Sequence, residues 1–228
     1  MALSEKERKR WQMIDTIIAE NKNELKQATT HTVLKEFAEE QGWMNKNDFG
    51  KFKVSLRKLG VDYDHLREET FKELDLKRAK ELDALDDSAP CVYLMTGAVD
   101  DESSGTGSFA IIGEDGEAYW YGAFFGDDLT YNPGDLVSAE QSVAEKAVWF
   151  AAKCLREKGI ECGRVEITTT CPDLDETTLK SRGVRLGVKV DVHVNDEDLR
   201  AVDMAEAPGF KKWQENDLAS LVMVDEEE

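Results

Sequence analysis

Proline, cysteine and histidine are scarce in this chain: 4 Pro, 4 Cys and 3 His in 228 residues. No apolar run approaches the roughly 18 residues needed to span a bilayer. Cys91, Cys154, Cys162 and Cys171 form no CxxC pair and only His31, His65 and His193 are on hand, a pattern that argues against structural zinc. Cys91 and Cys154 fall inside apolar stretches, the setting of buried free thiols. The opening MALSEKERKRW has no apolar signal core, so the expectation is a cytoplasmic protein without a membrane partner.

Positive charge is the other shortage. The chain has 29 Lys/Arg against 48 Asp/Glu, a net charge of -19. Residues 1–85 carry 17 of each sign, so the remaining 12 basic and 31 acidic residues put the whole excess beyond residue 85. An acidic half of this kind repels phosphate backbones at long range. It also suits plain colloidal solubility.

Length and the 41% apolar content are enough for a buried core. Ser4 to Gln27 is helical in pattern, with Ser4 and Glu7 placed as a capping box and Trp11, Ile14, Ile17, Ile18 and Leu25 near one face. A second helix opens at Thr32 and ends at Gly42. A third, capped by Asn47 or Asp48, ends at Gly60 and interleaves Phe49, Phe52 and Leu56 with Lys51, Lys53, Arg57 and Lys58. Helix, Gly-containing turn and basic helix match a helix-turn-helix unit as well as a plain helical packing module. Lys46, Lys51, Lys53, Arg57 and Lys58 are accordingly the candidate nucleic-acid contacts. The 62–85 stretch predicts a charged amphipathic linker helix, closed by DDSAP.

From Cys91 the pattern changes. CVYLMTGAV, the polar loop DDESSGTG, SFAIIG, an Asp-Gly turn and AYWYGAFF read as three antiparallel strands. A small-residue helix over 138–158 follows, then a strand over 164–170, a helix over 173–182, a strand over 188–194 and a helix over 198–207. A right-handed crossover would pair the fourth strand parallel to the first. Tyr119, Trp120, Tyr121, Phe124 and Phe125 are able to stack bases, although strand alternation sends about half of them to the core.

This element order is that of the ribonuclease H-like fold, and the residues resemble it too. Thr96-Gly97 with the Gly-containing loop and Gly107-Ser108-Phe109-Ala110-Ile111-Ile112 resembles the family's opening two strands. Glu145 in an Ala-rich helix resembles its metal-binding Glu, and Thr168-Thr169-Thr170-Cys171 its fourth-strand ending. His193 and Asp203, ten residues apart, resemble its mobile His and last metal-binding Asp.

The resemblance implies an α+β/α/β chain. A mixed five-stranded sheet flanked by helices occupies 91–213, after an all-α module over 1–60 and a linker over 61–90, with an acidic tail over 214–228. It also implies a chemistry in which four carboxylates hold two Mg²⁺ or Mn²⁺ ions. Glu145 and Asp203 would be ligands and His193 would assist product release. Where the family has its two strand Asp residues, this chain has Thr96 and Thr170, and a neutral hydroxyl is a poor ligand for a hard dication. The expectation is therefore a non-catalytic binding or assembly module, without a cofactor, for a protein or for nucleic acid held by the N-terminal helices. The alternatives are a Mg²⁺- or Mn²⁺-dependent nuclease on RNA–DNA hybrids and an acidic DNA mimic. Each retained residue also has an ordinary reading: Glu145 as a surface partner of Lys146 or Lys153, His193 as a strand-end polar residue, Asp203 as a neighbour of Arg200.

Overall fold

The computed structural model describes residues 4–101 and 106–224. Among them are eight α-helices and one five-stranded mixed sheet, an α+β fold. The chain divides into two compact units, Met1–Leu76 and Lys77–Glu228.

In the first unit the elements among the described residues are helices: α1 (Glu5–Glu20), α2 (Lys22–Gln27), α3 (His31–Glu40), α4 (Lys46–Lys58) and the first part of α5 (Tyr63–Asp83). The capping box forms, Ser4 Oγ accepting the Glu7 amide at 3.2 Å and Glu7 accepting the Ser4 amide at 2.8 Å. The single helix expected to Gln27 is interrupted at Asn21, whose side-chain amide donates to the Ile17 carbonyl at 2.8 Å and ends α1. Ile14, Ile18, Leu34, Trp43, Phe52 and Leu56 make the core. Gly42, at φ 69°, lets the chain leave α3 in a left-handed turn that aims Trp43 into it. Arg10 meets Asp48, and Asp15 meets Lys51 and Ser55 further along, so α1 and α4 run in the same direction.

The second unit holds β1 (Cys91–Asp101), β2 (Thr106–Ile112), β3 (Ala118–Ala123), α6 (Leu136–Glu157), β4 (Gly163–Thr169), α7 (Glu176–Leu186), β5 (Val188–Val194) and α8 (Arg200–Glu206). The strand order is β3-β2-β1-β4-β5. The first three strands are antiparallel neighbours, while β1–β4 and β4–β5 are parallel, as the crossover argument predicts. Side chains alternate. Val92, Leu94, Ala98, Phe109, Ile111, Val165 and Ile167 face the core under α6, where Ala144, Ala147 and Ala151 allow close approach. Met95, Ala110 and Ile112 face the other way and are covered by Ala201 and Ala205 of α8.

Helix α7 starts later than the pattern suggested because Asp175, not Asp173, is the cap, accepting the Thr178 amide at 3.0 Å. The stretch expected as tail from 214 is not all tail. Val222 is buried in the core, and Met223 exchanges backbone hydrogen bonds with Cys91 at 2.8 and 2.9 Å. The acidic residues 225–228 and part of the polar loop, 102–105, lie outside the described residues.

Candidate functional site

The parallel pair β1–β4 carries polar side chains that are buried under α6. Cα register sets Thr96 opposite Thr169, and both are buried. Thr170, the residue expected in this position, is one step along, just beyond the end of β4. Glu140, near the start of α6, reaches down to them at 3% exposure. Its Oε1 accepts the Ala98 amide at 3.0 Å, and the Thr169 hydroxyl lies 3.5 Å from Oε2 while accepting the Cys171 amide at 3.1 Å. The Thr96 hydroxyl is buried with no hydrogen-bond partner among the described residues.

Burial dominates the electrostatics of this carboxyl. It lifts Glu140 from the ordinary 4.5 to about 7, against the opposing pull of the Ala98 amide and the Thr169 hydroxyl. The group is poised between acid and carboxylate near neutrality.

Glu145, the candidate named from the sequence, sits elsewhere. Five residues on from Glu140 it points about 140° around the helix, where it accepts Thr130 Oγ1 at 3.1 Å and pairs with Arg182 at 2.8 Å. The signal for Glu140 is in the chain: it shares the helical face of Ala144, Ala147 and Ala151, the sheet-facing stripe, whereas Glu145 does not. His193 is exposed, 3.5 Å from Glu166, on the sheet face opposite Glu140, as its pairing with Thr168 requires. Asp203 is exposed on α8, the helix of that opposite face. The structure thus brings Thr96, Thr169 and Glu140 together and leaves Glu145, His193 and Asp203 apart from them.

These donors do not fit a pair of Mg²⁺ ions. Two hydroxyls are neutral, the one carboxyl has its charged form disfavoured, and one of its oxygens already holds an amide. Asp100, further along β1, is engaged by the Tyr131 hydroxyl at 2.5 Å. Among the described residues no group of three or more His, Cys, Asp or Glu side chains is placed to hold a metal ion.

The five cations assigned to nucleic acid separate as well. Lys51 is buried and pairs with Asp15 at 2.6 Å, Lys53 pairs with Asp64 at 2.7 Å, and Arg57 pairs with Asp64 at 2.8 Å. A recognition helix presents its cations outward, and this face of α4 is neutralised from within the unit. Lys46 and Lys58 stay exposed. Of the sheet aromatics, Trp120 and Phe124 pack on Phe109, Tyr119 stacks on Phe150, and Phe125 is 71% exposed.

Lys146 anchors the loop before α6, where its Nζ donates to Asp128, which also accepts from Ser142 Oγ and from the Thr130 and Tyr131 amides. No protein-family model, curated protein or solved structure matches this chain.

Proposed function

We propose that the second unit is a ribonuclease H-like scaffold that has lost phosphodiester cleavage and works as a binding or assembly module for a protein or nucleic-acid partner. The observation that carries this reading is the facing pair Thr96 and Thr169 beneath Glu140. That arrangement has the outline of a carboxylate cluster on a central parallel pair and lacks its charge. The strand order with its parallel β1–β4 centre, and the placement of α6 and α8 on opposite faces, support the same reading.

The chemistry follows from charge. A two-ion centre needs several anionic oxygens converging on one point to offset four positive charges. Thr96, Thr169 and a Glu140 that is half protonated near neutrality supply at most one negative charge. The remaining value of the site is structural: Glu140 ties α6 to β1 and β4 at the sheet centre.

Incubation of the full chain with an RNA–DNA hybrid in Mn²⁺ tests the reading. No cleavage above a no-protein control is expected. Cleavage by the wild type that disappears in Glu140→Gln would establish the competing metal-dependent nuclease.

A further inference from the structure

We infer that the groove between the first turns of α1 and α4 is a docking surface for single-stranded nucleic acid. The inference extends the binding-module reading to one partner class and one surface. The groove encloses about 700 Å³ and is lined by Lys6, Lys9, Arg10, Trp11, Met13 and Asn47, among others.

Charge complementarity selects the occupant. Lys46 on α4 adds an exposed cation beside the lining residues Asn45 and Asn47. Two carboxylates, Glu7 and Asp48, line the groove as well, and both are engaged at home. Glu7 is held by the Ser4 amide and hydroxyl at 2.8 and 2.7 Å. Asp48 is held by Asn45 at 2.8 Å and Arg10 at 3.1 Å. Glu5 pairs with Lys9, with both side chains mostly in solvent at 84% and 75% exposure. Lys6 and Lys46 have no carboxylate partner among the described residues.

Lys6 and Lys46 share the first turns of α1 and α4 with Glu5, Glu7 and Asp48, the acids that the positive end of a helix dipole favours. The partner these cations fit is polyanionic.

Single strand rather than duplex follows from the shape and the apolar lining. The surface is concave, with the half-buried Trp11 indole and the 40% exposed Met13 beside the cations. An unpaired base can enter such a groove and lie on the indole while its phosphates meet Lys6 and Lys9. A duplex keeps its bases stacked inside and offers only phosphates. The first unit suits the task electrically, because the acidic excess lies beyond residue 85.

The test is fluorescence anisotropy of the full chain with labelled 20-nucleotide poly-U and poly-dT strands and a matched duplex, in EDTA over a salt series. EDTA keeps the outcome independent of any metal chemistry at the sheet site. Lys6→Glu with Lys9→Glu is compared with Lys22→Glu with Lys26→Glu, which reverses two exposed cations on α2 of the same unit. The expected result is single-strand binding weakened at least tenfold, with the logarithmic salt slope reduced by about 1.4, in the first variant and unchanged in the second. No single-strand binding, equal loss in both variants, or tighter binding of duplex than of single strand would overturn the inference.

Discussion

Thr96 and Thr169 face each other across the parallel strand pair β1–β4, both buried, with Glu140 descending between α6 and the sheet to meet them. A hydroxyl pair at that location leaves Glu140 without a cation or a strong set of donors, and its chemistry is governed by burial.

Glu140→Gln is expected to stabilise the protein in alkaline solution. A carboxyl whose folded pKa is about 7 against an ordinary 4.5 binds its proton more tightly when folded. The folded state is therefore favoured below pH 4.5, and that advantage is lost as pH rises through 7. The full difference is about 3 kcal/mol. Urea unfolding from pH 4 to 8.5 checks it: wild-type stability falls relative to the Gln variant across pH 4.5–7, and the two converge at acid pH.

Gly97→Ala is expected to loosen α8. A Cβ at this position would lie 2.5 Å from the Val202 amide nitrogen and 2.6 Å from the Ala201 carbonyl carbon, so helix backbone rather than a mobile side chain blocks it. Overpacking of this kind costs about 1–3 kcal/mol. Chemical denaturation gives the loss, and hydrogen exchange locates it in α8 and β1.

Much of the second unit was legible because its elements obey simple periods. Alternation in β1 and β2, the Ala stripe of α6 and the glycine stops gave element type and order, and the crossover rule gave the parallel pair. The site was less legible for two physical reasons. Register decides which β4 residue meets β1, and pairing sets Thr169, the last residue of β4, opposite Thr96, one residue before Thr170. Rotation decides face on a helix, and Glu145 beside Lys146 was the more conspicuous carboxylate although Glu140 lies on the buried stripe. In the first unit the basic α4 pattern suggests a free cationic face, because the pairing to Asp15 and Asp64 that neutralises it joins residues 7 to 36 apart in sequence.

Lys51→Met is expected to lower stability and leave single-strand binding unchanged. Lys51 Nζ lies 2.6 Å from Asp15 and 5.7 Å from the Trp11 ring centroid, with its side chain only 8% exposed. Asp15 is 43% exposed and keeps Ser55 as a partner, so loss of the ammonium is softened by water and costs about 1–2 kcal/mol. Thermal unfolding measures the loss. Tenfold weaker strand binding would instead place Lys51 in the interface.

Isothermal titration of Mn²⁺ into the wild type and into Thr96→Asp with Thr169→Asp tests the central claim most directly. The double variant gathers three carboxylates at one point and is expected to be destabilised without metal by about 3 kcal/mol or more, and to bind Mn²⁺ with a matching rise in melting temperature. The wild type is predicted to give no heat of binding at this site. Wild-type binding that Glu140→Gln abolishes, or a double variant that folds and binds nothing, would contradict the account.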